Sequence, residues 1–201
     1  GAIVTTSLIK GKDVKEKEER MLNFFKKLSK NDNLKINYDV YESEKATGDR
    51  NRAMAYLLKN DGFIEGNVEE VLDLYFKQCS IEVDCVDLAR MGVNLASYGV
   101  DIETGERLVD ENISRIVKTF MVTCGMYDAS GEFAIKVGIP AKSGVGGGIM
   151  SSVPTKMGIG IYGPSLDTKG NSIAGLKILQ KLSKEYNLNI FFIWRATNDR
   201  V

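Results

Sequence analysis

The hydrophobic period of this chain changes near residue 130, and that change constrains its fold more than any other feature. Before it, apolar residues recur at the three-to-four spacing of amphipathic helices; after it, they alternate among glycines in short runs, as in strands. Residues 13–30 alternate charge with Met21, Leu22, Phe24, Phe25 and Leu28, which predicts a helix with a solvated charged face. Residues 45–59 read as one helix, stopped at Asn60-Asp-Gly62. Asn67, with Glu70 three residues on, opens a helix through Leu72 and Tyr75. Residues 85–98 form another, ended by Gly99, and Asp110 opens one that runs to about Cys124. Residues 133–137, 141–151 and 156–162 then read as strands of an antiparallel meander, and residues 170–186 return to an amphipathic helix. Residues 190–201, apolar and then polar, fit neither pattern. Helices, a short sheet and a covering helix make an α+β fold. Residues 1–125 are its mainly helical part and residues 126–189 its sheet and C-terminal helix. At 201 residues one domain is the natural reading.

Composition removes several kinds of chemistry. Basic and acidic residues balance at 27 each, so no bulk field favours nucleic acid or an anionic membrane. There is no histidine, which excludes Ser-His-Asp and Cys-His catalysis within the chain and takes away a principal zinc ligand. Cys79, Cys85 and Cys124 are odd in number and lack C-x-x-C spacing; they read as buried thiols of a reduced cytoplasm. The sequence contains no signal peptide or membrane span.

The strongest local signal is the run Val137-Gly-Ile-Pro-Ala-Lys-Ser-Gly-Val-Gly-Gly-Gly148. It puts a cation, Lys142, and a hydroxyl, Ser143, on a strand edge, with glycines that let a ligand approach the backbone. It is not a P-loop, because Ala141 precedes the lysine, and Ile149 stands where a dinucleotide fingerprint needs its third glycine. A Lys-Thr/Ser-Gly strand of this kind serves serine acyl-transfer enzymes of the penicillin-recognising type. A glycine-rich turn between strands accounts for the run equally well.

Four further stretches separate those readings: Gly1-Ala-Ile-Val-Thr-Thr-Ser-Leu-Ile9, Glu42-Ser-Glu44-Lys-Ala-Thr-Gly-Asp-Arg-Asn51, Leu72-Asp-Leu-Tyr75-Phe-Lys-Gln-Cys-Ser80 and Cys124-Gly-Met-Tyr127-Asp-Ala-Ser-Gly131. With the first run, and in this order, they resemble the serine-dependent glutaminases from Gly1 to about Asn189. The resemblance implies a β-lactamase-like, penicillin-binding-protein-like α+β fold, and hydrolysis of L-glutamine to L-glutamate and ammonia through a seryl acyl-enzyme. It implies no metal or organic cofactor, a cytoplasmic enzyme, and a homodimer or homotetramer. It also implies that residues 1–201 are an incomplete catalytic domain, the C-terminal portion of a longer enzyme, without the S-x-x-K segment that carries the nucleophile. Ser7-Leu-Ile-Lys10 has that spacing, which on a helix puts both side chains on one face. In the family, however, this stretch lies well downstream of the true pair.

Residue by residue, the resemblance gives Glu44 to the substrate ammonium, Asn51 to its carboxylate and Tyr75 to a substrate contact. Tyr127 becomes the proton shuttle and the Val145 N–H part of the oxyanion hole. Lys142 could supply the field that a phenol, titrating near ~10 when unperturbed, needs to act as a base. Each has a plain alternative: a helix-start carboxylate for Glu44, a core aromatic for Tyr75, a strand-edge lysine for Lys142. Arg50 reads as structural, paired with a neighbouring acid.

Overall fold

The computed structural model describes residues 1–192, which form two compact units. One holds Gly1–Lys27 and Asn31–Val83; the other holds Leu28–Lys30 and the chain from Asp84 onward.

The first unit is helical. It contains α1 (Ala2–Ser7), most of α2 (Val14–Ser29), α3 (Tyr38–Thr47), α4 (Asp49–Asn60) and α5 (Val68–Cys79). α5 is its centre: Leu72 and Phe76 are fully buried among Ile3, Tyr41, Ala55 and Ile64. Asn67 caps α5 by accepting from the Glu69 N–H, and Asn37 caps α3 by accepting from the Val40 N–H. The single helix expected over residues 45–59 is instead two, divided at Gly48. The Phe76 ring lies so close to Gly48 that a Cβ there would collide with it. Glycine is also among the weakest helix formers. The break is therefore a packing event that local periodicity does not register.

Asp73 of α5 gathers the polar contacts of this unit. It accepts from the Tyr41 hydroxyl and, at 2.9 Å in both cases, from the ammonium groups of Lys45 and Lys77. Burial alone would raise its pKa, but these three donors outweigh it and hold the carboxyl down at about 2. Because the folded pKa lies below the unfolded one, this stabilisation is present above the unfolded value near ~4 and is lost as pH falls through the folded one. Discounted for solvent screening, it is worth about 1 kcal/mol. Asp73→Asn should lower stability by about that amount at pH 7 and flatten the fall between pH ~4 and ~2. Urea unfolding across that range measures both.

The second unit holds α6 (Cys85–Ala96), α7 (Glu111–Cys124), a 3-10 turn (Tyr127–Ala129) and α8 (Ser130–Lys136). The meander β1 (Ala141–Ser143), β2 (Gly148–Val153), β3 (Met157–Tyr162) and then α9 (Ile173–Glu185) follow. The strands pair antiparallel in the order β1-β2-β3, with Ser143 opposite Ile149 and Ile149 opposite Ile161. Successive strand residues face opposite sides. One side, with Ile149, Val153 and Ile161, joins Leu179 of α9 in the core. On the other, Gly158 and Gly160 admit α6: a Cβ at either would strike the α6 backbone at Ala89 or Cys85. Asp84 and Asp87 close a reciprocal capping box at the start of α6, and Gly99 ends that region with φ +86°.

Three expectations are corrected. Residues 133–136 are helix with Val137 as its C-cap, not strand: Phe133 and Val137 are buried one turn apart while Ile135 is 83% exposed. An alternating strand would have put all three on one face, and five residues cannot separate the two periods. Residues 141–151 are two strands joined by a tight turn, closed by Gly147 N–H to the Gly144 carbonyl at 2.9 Å. The three cysteines are free and their residues are exposed rather than buried, although the Cys79 thiol itself is turned in and largely desolvated. No helix among the described residues is long and apolar enough to cross a membrane. The C-terminal stretch left unassigned above falls, from residue 193, outside the described residues.

Candidate active site

In the second unit the site is built where α7 ends. A Cβ on Gly125 would run into the carbonyls of Ala141 and Met121, so only glycine lets the chain leave α7 this close to β1. Ser143 N–H then bonds the Gly125 carbonyl at 2.9 Å and draws β1 alongside. This brings Tyr127 to Lys142 and Ser143. The Tyr127 hydroxyl donates to the Ser143 carbonyl at 3.1 Å, and Lys142 Nζ donates to the same oxygen. Nζ also lies over the tyrosine ring, 4.6 Å from its centroid. Burial lowers the Lys142 pKa, opposed by the nearby Cys124. A phenol and an ammonium thus converge on one carbonyl.

Val145 is at the turn between β1 and β2, its side chain 67% exposed. Its N–H has no acceptor among the described residues, although Gly144 and Gly147 on either side of it in the turn are both bonded. Gly170 closes the group, with both the Tyr127 ring and Val145 Cγ1 at 3.6 Å from where its Cβ would be. The pattern of residues 166–172 carries no signal that would have placed Gly170 there.

The first unit brings together a different set. Glu44 lies in the last turn of α3 and Asn51 in the first turn of α4, on either side of the break at Gly48. Both are half-buried, as is Tyr75 on α5. The helix-start alternative for Glu44 therefore fails, because the carboxylate stands at the negative end of its helix, where the dipole opposes it. Tyr75 is not a fully buried core aromatic; its hydroxyl reaches Cys79 one turn on. Burial pushes the Cys79 thiol up, the Tyr75 hydrogen bond pulls it down and the Glu44 charge raises it further. That places Glu44, Tyr75 and Cys79 within electrostatic reach of one another, and the cysteine was not foreseen. The ion pair expected of Arg50 belongs to Arg52, which lies 3.6 Å from Asp49 and 3.7 Å from Glu69.

Ser7 and Lys10 are not a pair. α1 ends at Ser7, so Lys10 is off the helix, and the Ser7 hydroxyl is spent on the Val4 carbonyl at 2.7 Å. Among the described residues no three acidic or cysteine side chains come together as a metal site.

A family model of glutaminases matches residues 1–191. This chain belongs to the glutaminase family. It is 78% identical over 191 residues to a glutaminase of Clostridioides difficile, covering 95% of this chain and 62% of that protein. It is 62% identical to one of Alkaliphilus metalliredigens, again covering 95% of this chain and 63% of the relative. The chain thus spans less than two thirds of the length of these relatives. Among solved structures it resembles the Bacillus subtilis glutaminase YbgJ, in covalent complex with 5-oxo-L-norleucine. That match has a TM-score of 0.91 and 41% identity, covering 94% of this chain and 67% of that one. It also resembles Mglu in its glutamate form, with a TM-score of 0.92 and 37% identity, covering 96% of this chain and 44% of that one. With these likenesses the α+β, β-lactamase-like fold of a glutaminase-family chain is in place.

Proposed function

We propose that this chain carries the substrate-recognition and proton-transfer groups of a glutaminase, hydrolysing L-glutamine to L-glutamate and ammonia through a seryl acyl-enzyme. The observation that carries this reading is the pair of helix ends at Gly48. The C-terminal end of a helix favours cations and the N-terminal end favours anions. Here the cation-favouring end bears Glu44 and the anion-favouring end bears Asn51. Together they suit an α-amino acid zwitterion: Glu44 takes the ammonium, and the Asn51 amide donates to the carboxylate. Tyr75 adds a hydroxyl beside Glu44.

The second unit supplies groups for acyl transfer. As a seryl oxygen adds to the side-chain carboxamide, the carbonyl oxygen becomes an oxyanion that the free Val145 N–H can stabilise. The proton given up by the serine is relayed to the departing nitrogen through the Tyr127 hydroxyl, beside the Lys142 ammonium, so the nitrogen leaves as ammonia and the phenol is restored. Water then cleaves the ester with the proton traffic reversed. The covalent 5-oxo-L-norleucine adduct of the Bacillus relative supports a nucleophilic route. The nucleophile is not Ser7, and in this reading the acylating S-x-x-K pair is not among residues 1–201, which form part of one catalytic domain. A cytoplasmic setting is supported by the three free thiols. A homodimer or homotetramer completes the reading, and light scattering tests it.

Two preparations test the function. The purified chain should release no ammonia from glutamine above the blank. A chimera in which it replaces the matching part of the Clostridioides difficile relative should be an active glutaminase. An inactive but folded chimera would sink the proposal. Activity of the chain alone that vanishes in Ser7→Ala would restore Ser7 as the nucleophile.

A further inference from the structure

Tyr127 stands in the left-handed region, with φ +51°, a backbone state that non-glycine residues adopt rarely and keep only where their surroundings over-determine it. Two side chains contribute to this: Ser130, within the Cys124–Gly131 stretch, and Asn171, which no sequence motif singled out. Ser130 Oγ accepts from the Met126 N–H at 3.0 Å and donates to the Tyr127 carbonyl at 2.8 Å. Asn171, fully buried, donates from Nδ2 to the Met126 carbonyl at 3.2 Å. Asn171 therefore holds the peptide plane before the Tyr127 Cα and Ser130 holds the one after it. With both planes held, the first also by the Ala129 N–H on the Met126 carbonyl at 3.1 Å, the backbone angles of Tyr127 are tightly restricted.

Asn171 is itself anchored. Its N–H donates to Asp167 Oδ1 at 2.9 Å, and its carbonyl accepts from the Asp167 N–H at 2.8 Å. Asp167 Oδ1 also accepts from the Lys169 N–H at 2.9 Å, which tightens the loop that sets Gly170 against the tyrosine ring. Asn171 Oδ1 has no hydrogen-bond partner among the described residues. A buried amide left half-satisfied is a poor choice for packing alone; its contribution is the bond to Met126.

We propose that Asn171 and Ser130 are positioning residues for Tyr127, clamping its left-handed backbone so that the hydroxyl stays on the Ser143 carbonyl beside Lys142. The proposal rests on the reading of Tyr127 as the proton-transfer group, and its test has one arm that needs no activity. In the chain labelled with 13C-tyrosine, the Tyr127 signal is identified by its loss in Tyr127→Phe. It should shift or broaden in both Asn171→Ala and Ser130→Ala while the other tyrosine signals hold. Asn171→Ala empties a buried site; if it fails to fold, Ser130→Ala, which removes a single oxygen, carries the arm. A Tyr127 signal unmoved in a folded variant overturns the clamp.

In the active chimera, Ser130→Ala should lower kcat on the order of tenfold with KM unchanged, as a misplaced catalytic group does. In a Tyr127→Phe background the same change should cost less than about twofold more, because the group being positioned is gone. Equal losses in both backgrounds would mean that Ser130 acts on the fold and not through Tyr127. Full turnover by Tyr127→Phe alone would instead remove the proton-transfer reading, and the tyrosine signal would still decide the clamp.

Discussion

Tyr127→Phe should lower kcat of an active glutaminase carrying this chain by roughly 10²–10⁴-fold, the usual cost of losing a proton-transfer group. KM should stay within a few-fold, so the loss appears almost wholly in turnover. The substitution is clean. The ring keeps its place under Lys142 Nζ and against Gly170, and only the hydroxyl on the Ser143 carbonyl is removed. The backbone clamp at Met126 and Tyr127 does not involve the phenol oxygen, so the fold should be unaffected. Steady-state ammonia release with glutamine varied across KM measures both constants. Turnover within about twofold of the parent would reduce Tyr127 to a packing residue.

Glu44→Gln should weaken glutamine by about ten- to a hundredfold. The exchange keeps the side-chain size and removes the charge proposed to meet the substrate ammonium. A hydrogen bond to a charged group is worth roughly 1.5–3 kcal/mol where water is excluded. The helix end adds to the contrast: the carboxylate stands where the α3 dipole disfavours it, so the variant should be no less stable than the parent. Reduced affinity together with unchanged or raised thermal stability separates a recognition role from a structural one. Asn51→Ala, which removes a neutral donor, should weaken binding less. An analogue lacking the α-amino group supplies the decisive comparison. The parent should discriminate against it strongly and Glu44→Gln hardly at all; equal discrimination by both would take the ammonium away from Glu44.

Much of this architecture was open to a reader of the residues alone. The change of period predicted helices before residue 125 and a sheet with a covering helix after it. The caps at Asn67 and Asp110 marked helix starts that the structure keeps, because a capping side chain acts on backbone a few residues away. Ordered motifs identified the family, and the resemblance proposed Glu44, Asn51, Tyr75, Tyr127 and Val145 as site residues, with Lys142 beside them. What the residues could not decide was whatever depends on atoms distant along the chain. The division at Gly48 exists because Phe76, 28 positions on, fills the space a Cβ would need. Residues 133–137 alternate like a strand, yet they coil because Phe133 and Val137 share one core with Leu179. The Met126 carbonyl, just before the left-handed Tyr127, is met by Asn171 from 45 positions away. Local propensity and periodicity report interactions within a few residues, whereas packing and buried hydrogen bonds join segments that only the folded chain brings together.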